Sequence, residues 1–142
     1  MGRILAIDYG RKRAGIAVTD PGQIIASPLT TVGAAEIISF LKNYFMQQEV
    51  DFIVVGLPRQ MNNTPSESVQ YIEPFIRQFK KTFPQMEIVR VDERFTSKMA
   101  RQAILESGKK KSERQNKALV DAVSAAIILQ SYLEMRDMGR IK

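Results

Sequence analysis

Apolar residues recur along this chain with two different periods. Near the start they form short runs, Ile4-Leu5-Ala6-Ile7 and Ile16-Ala17-Val18, on either side of a polar stretch flanked by glycines. Runs of this kind predict strands near 3–9, 14–19 and 24–31, with Gly10 and Gly15 punctuating the first turn and Pro21-Gly22 the second. The period then changes. Ile37, Ile38, Leu41, Tyr44 and Phe45 fall at helical spacing and predict a helix near 34–49. Phe52-Ile53-Val54-Val55 shows little alternation and reads as a strand buried on both faces, ending at Gly56-Leu57-Pro58.

A second helix has a marked start. Thr64 is a candidate N-cap, Pro65 takes the first helical position and Glu67 completes a capping box. Val69, Ile72, Ile76, Phe79 and Phe83 carry its apolar face past Pro74, where a kink is expected because proline removes one ladder bond. Glu87 to Val91 is another buried strand, followed by helices at about 97–107 and 114–137. Three consecutive strands predict an antiparallel meander, and the later alternation of strand and helix predicts parallel strands with right-handed crossovers. The expected fold is an α/β mixed sheet with helices on both faces.

Composition narrows the chemistry. The chain has 142 residues, 44% hydrophobic and 25% charged, which suits one domain over 1–142 with a real core. No apolar run approaches the ~20 residues of a membrane span, and the start lacks a signal pattern, so a cytoplasmic protein is expected. Cysteine and histidine are both absent. That excludes disulfides, thiolate zinc sites, cysteine nucleophiles and every mechanism that relies on imidazole. An enzyme built from this set works with carboxylates, lysines, tyrosines or metal-bound water. The formal charge of +6 favours polyanionic partners, nucleic acid first.

Three acids stand out by position. Asp8 ends the first strand and Glu93 follows the last, at the carboxyl edge where open α/β sheets gather ligands, provided the two strands are parallel neighbours. The plainer account of Asp8 is a turn cap, and of Glu93 an exposed acid paired to Arg94. Asp121 lies inside the apolar helix "KALVDAVSAAIILQSYL", sharing a face with Ala118, Ala125 and Ile128. A carboxylate there needs a cation, hydrogen bonds or a proton, and a salt bridge to a nearby basic residue would suffice. Ala118, Ala122, Ala125 and Ala126 would let this helix lie close to the sheet and bring Asp121 near the strand tips.

Converging carboxylates without histidine or cysteine suit a hard divalent cation, Mg²⁺ or Mn²⁺, which belongs with phosphate chemistry. Arg11, Lys12 and Arg13 beside Asp8 suit a phosphate backbone, whereas Lys109, Lys110 and Lys111 also read as a solvated loop. No aromatic platform for reading bases is visible.

The stretches "AIDYGRKRAGIAVTD", "VVGLP", "VDERFTS" and "VDAVSAAIILQSYL" resemble, in order and spacing, the successive signatures of the YqgF family. Its members are described as pre-16S rRNA nucleases or Holliday junction resolvases. The resemblance spans nearly the whole chain. It implies an RNase H-like fold and Mg²⁺- or Mn²⁺-dependent phosphodiester cleavage. The family's acids fall on Asp8, Glu93 and Asp121; on charge and position alone, Arg11, Lys12, Arg13, Arg94 and Lys109, Lys110 and Lys111 are the expected nucleic-acid contacts. One departure follows "GLP": similar proteins carry glycine in the next loop, whereas this chain reads "RQMNNTPSES", leaving Asn62 or Asn63 for a positive-φ position.

The implied activity is cleavage of structured RNA, foremost the 5′ end of pre-16S rRNA. A junction resolvase on branched DNA would use the same residues, in a two-fold homodimer suited to paired incisions. A basic protein that binds nucleic acid without cutting is a third reading. "DYGRKRAG" also resembles the first phosphate loop of actin-like ATPases, but the second loop and the duplicated domain that those proteins need are not visible.

Overall fold

The computed structural model describes residues 2–10, 12–57, 69–92 and 117–137. Five strands form one sheet: β1 (Arg3–Tyr9), β2 (Arg13–Thr19), β3 (Ala26–Gly33), β4 (Val50–Leu57) and β5 (Glu87–Asp92), in the order β3-β2-β1-β4-β5. β1, β2 and β3 pair antiparallel, while β4 runs parallel to β1 and β5 parallel to β4. The meander and the parallel half are both as expected. β1 and β5 are parallel but not neighbours, because β4 lies between them; their carboxyl ends still share one edge of the sheet.

Strand alternation sorts the apolar residues into two cores. Leu5, Ile7, Ala14, Ile16, Ile53 and Val55 face α1 (Ile37–Gln47) and α2 (Val69–Thr82), meeting Leu41, Ile72, Ile76 and Phe79. Ile4, Ala6, Ala17, Val54 and Val91 face α3 (Lys117–Asp137), meeting Ala125, Ile128, Leu129 and Leu133. Helices therefore cover both faces. On the first, an aromatic ladder runs from Tyr9 through Phe75 and Phe79 to Phe83, and the Tyr9 and Phe75 rings stack at 4.5 Å. Among the described residues no helix is long and apolar enough to cross a membrane.

Several boundaries differ from expectation for local reasons. β3 begins at Ala26, not near 24, because Asp20 claims the preceding backbone. Its Oδ1 accepts the N–H groups of Ile24 and Ile25 at 2.9 and 2.8 Å, and its Oδ2 accepts that of Gly22 at 3.0 Å. Gln23 takes the left-handed conformation, φ 58°, inside that loop. A register shift in β3 skips Leu29 beside Pro28, which has no N–H to donate and is tolerated on an edge strand. Residues 34–36 form a single 3-10 turn before α1. Helix α2 runs unbroken through Pro74, which lies on its exposed side. The proposed caps of α2 at Thr64, Pro65 and Glu67, the loop around Asn62 and Asn63, and the helix at 97–107 lie outside the described residues.

Gly15 differs most. It is not turn punctuation but an interior residue of β2, two positions past Arg13. A side chain there would collide with the backbone of α3, overlapping the carbonyl of Asp121 and approaching Ala122 N to 2.9 Å. Small residues surround this crossing: Ala6 and Ala17 on the sheet, Ala122 and Ala125 on the helix, all buried. The helix rests on the strands with almost no side chain between them.

A second clasp holds the far end of α3. Arg136 donates from Nη1 to Gln23 Oε1 at 2.8 Å and from Nη2 to Gln23 O at 3.2 Å. Gln23 Nε2 in turn donates to Gly2 O and Asp51 Oδ2, at 2.7 and 2.8 Å. Thr19, buried beneath, accepts the Ile4 N–H at 2.9 Å and donates to Asp20 O.

Candidate functional site

The close crossing at Gly15 builds the site. Asp8 pairs with Gly15 across β1 and β2, and it follows Ile4 and Ala6 on the face that α3 covers. The backbone of Asp121 lies directly over Gly15. Two acids from opposite ends of the chain are thus placed against one residue, Gly15, near the carboxyl end of β1. Arg13 shares this face, two residues before Gly15, and its Nε donates to Asp121 Oδ2 at 2.8 Å. The side chains of Arg13 and Asp121 are 40% and 25% exposed, so the pair lies at a lip open to solvent.

The turn that carries the basic residues is short. Gly10 N–H donates to Arg13 O at 2.9 Å, closing the β1–β2 hairpin, and Lys12 O accepts the Ala34 N–H at 3.0 Å. Lys12 thereby has a fixed backbone and an exposed side chain. On the opposite face of β1, the ring of Tyr9 stacks on Phe75, and burial pushes its phenol above the usual range. That stack anchors the tip of β1 next to Asp8.

Of the acids named from sequence, Asp8 and Asp121 are brought together. Glu93 lies outside the described residues, as do Arg11, Arg94, Lys109, Lys110 and Lys111. Among the described residues no group of three or more His, Cys, Asp or Glu side chains is placed to hold a metal ion. Asp8 and Asp121 supply hard oxygen donors at one solvent-open place, and Asp121 already holds a cation there, so the donor set is of the kind that fits Mg²⁺ or Mn²⁺. Sequence reasoning did not foresee that Arg13 would be that cation, nor the part played by Gly15. The strand period was the available signal, since it puts residues 13 and 15 on the face of Asp8's partner position.

A hollow of about 430 Å³ opens at the opposite edge of the sheet, where β4 and β5 begin. Phe45, Val50, Phe83 and Met86 line it, with Asp51. That acid is already engaged by Gly2 and Gln23, which leaves the hollow without a reactive cluster.

Comparison with known proteins bears on the fold and on the family. A solved structure, that of the fowlpox virus Holliday junction resolvase, matches with a TM-score of 0.56 at 14% identity, covering 96% of this chain and 99% of that one. At that identity the likeness speaks for the fold, which is RNase H-like. A protein from Bacteroides fragilis named "Putative pre-16S rRNA nuclease" is 59% identical over 136 residues, covering 96% of this chain and 99% of its own. Proteins of the same name from Flavobacterium psychrophilum and Parabacteroides distasonis are 59% and 53% identical, covering 94% and 96% of this chain and 97% of each of their own. The family model described as "RuvX: Holliday junction resolvase" matches residues 2–135. With that span matched and more than half of the aligned positions shared with relatives of similar length, the chain belongs to the RuvX family, the YqgF family expected from its motifs.

Proposed function

We propose that this chain hydrolyses phosphodiester bonds of structured nucleic acid with the help of a divalent metal, foremost in trimming the 5′ end of pre-16S rRNA. Asp8, Glu93 and Asp121 are its acidic set. The observation that carries the proposal is the placement of Asp8 beside Gly15, and of the Asp121 backbone over it, at the carboxyl edge of the sheet. Around them the crossing is built of alanine and glycine, with Arg13 as the cation on Asp121. Asp8 and Asp121, with Glu93, would hold Mg²⁺ or Mn²⁺. When bound, such an ion lowers the pKa of its water and offsets charge building on the phosphate.

The protein's own groups do the rest. Arg11, Lys12 and Arg13 hold the phosphate backbone beside the acids, with Arg94 and Lys109 to Lys111 extending the basic track. These contacts read charge and shape, not sequence. The reading takes residues 1–142 as a single catalytic domain working in the cytoplasm, where rRNA precursors are processed. The names of the relatives support the RNA substrate.

The family description supports a second reading, resolution of four-way DNA junctions by a two-fold dimer. One experiment separates them. Purified protein is offered labelled pre-16S rRNA, single-stranded RNA and a four-way DNA junction, each with Mg²⁺, Mn²⁺, Ca²⁺ or chelator. The expected result is cutting of the rRNA precursor with Mg²⁺ or Mn²⁺, little turnover with Ca²⁺, and none in chelator. Preferential paired cutting of the junction would favour the resolvase. Undiminished cutting in chelator would refute the metal-dependent reading.

A further inference from the structure

The basic turn and the acids were read above as separate parts, one for phosphate and one for metal. The Arg13–Asp121 bond joins them. Arg13 makes a single side-chain contact, through Nε, with one oxygen of Asp121. The Arg13 side chain is 40% exposed, so the guanidinium that holds Asp121 is also open to solvent. The guanidinium fork is the geometry that grips a phosphate in two places.

The contact is also dispensable to the fold. Helix α3 is seated by the backbone crossing at Gly15, by Ile128, Leu129 and Leu133 in the core, and by Arg136 on Gln23. A pair as exposed as this one contributes little to stability. Its chemical role is to set a positive charge against the Asp121 carboxylate.

We propose that Arg13 is a displaceable counter-ion: it occupies Asp121 while no metal is bound, and it turns to the nucleic-acid backbone when a divalent cation takes that carboxylate. The inference rests on the reading of Asp121 as a metal ligand. It makes metal and polyanion binding mutually reinforcing, since each removes Arg13 from, or draws it off, the same oxygen. The coupling is reciprocal by linkage.

The test measures binding, not cutting. Mn²⁺ is titrated into the wild type, Arg13→Gln, Arg13→Lys, Lys12→Gln and Asp121→Asn, with free Mn²⁺ followed by its paramagnetic resonance. Melts in chelator verify that each variant is folded, and Arg13→Met replaces Arg13→Gln if the latter does not fold. Arg13→Gln should tighten Mn²⁺ about fivefold, the scale of an exposed pair removed from competition. Arg13→Lys should stay near wild type. Lys12→Gln removes the same charge without the contact and should change affinity by less than about twofold, since solvent screens it. In parallel, a fluorescein-labelled RNA hairpin is titrated in Ca²⁺ and in chelator. Ca²⁺ should tighten hairpin binding by the wild type and do so less in Arg13→Gln. If Arg13→Gln weakens Mn²⁺ or leaves it unchanged while Asp121→Asn abolishes it, the counter-ion proposal is overturned and the metal reading stands. If Asp121→Asn binds Mn²⁺ like wild type, Asp121 is no ligand and both fall.

Discussion

Gly15→Ala would add a single methyl group at the crossing of β2 and α3. That methyl would overlap the carbonyl carbon and oxygen of Asp121 and stand 2.9 Å from Ala122 N. All three are backbone atoms of a helix, so no rotamer change relieves the overlap. The helix must withdraw by roughly 1 Å or more to regain ordinary contact distances. Overpacking of this kind costs about 1–3 kcal/mol. At about 4 °C per kcal/mol for a chain of this size, the melting temperature should fall by about 4–12 °C. The same withdrawal carries Asp121 away from Asp8 and Arg13. A misplacement of about 1 Å can cost about 100-fold in rate, so cleavage should suffer more than stability. Gly33→Ala is the control: its methyl would meet only the Glu36 side chain, at 3.6 Å or beyond, and φ is −63°. It should melt within about 0.5 kcal/mol of wild type. Thermal melts followed by circular dichroism, beside a cleavage assay below the lowest melting temperature, measure both effects. Wild-type melting and wild-type cleavage in Gly15→Ala would refute the close crossing and the site built on it.

Thr19→Val removes the buried hydroxyl that accepts the Ile4 N–H, leaving a donor unsatisfied; a loss of about 1–3 kcal/mol is expected by urea denaturation, and a smaller change would mean that water replaces the hydroxyl. Asp20 is held below the usual carboxylate range by the N–H groups of Ile25 and Ile24, so its contribution is present above the unfolded value of about 3.9 and is lost as pH falls through the lower folded value. The melting gap between wild type and Asp20→Asn should therefore be largest near neutrality and close in strong acid; a gap that widens on acidification would contradict the turn geometry.

Much of the architecture could be read from the chain because period and punctuation agreed. Ile4 to Ile7 and Phe52 to Val55 are short apolar runs, and each became a strand; Glu87 to Val91 also became one, but as the edge strand, with Glu87 and Arg90 exposed and not buried as expected. Asp121 could be singled out because a charge within an apolar helix needs a partner. The identity of the partner was hidden, since nothing local links position 13 to position 121. Gly15 was misread for a related reason. Glycine marks both turns and close backbone approaches, and only the path of a distant helix distinguishes them. The late start of β3 was lost to Asp20, whose side chain competes for backbone N–H groups that a strand would use.

The Arg13–Asp121 bond spans 108 residues of sequence. At about 5–20 residues per second, about 5–20 s of synthesis separate its two ends. The β1–β2 hairpin, made of near neighbours, can pair long before α3 exists. During that interval a growing chain carries its basic turn and Asp8 but lacks Asp121. On the reading of Asp121 as a metal ligand, cleavage would wait for the last helix: a chain cut short before it would carry the basic turn without the full acidic set.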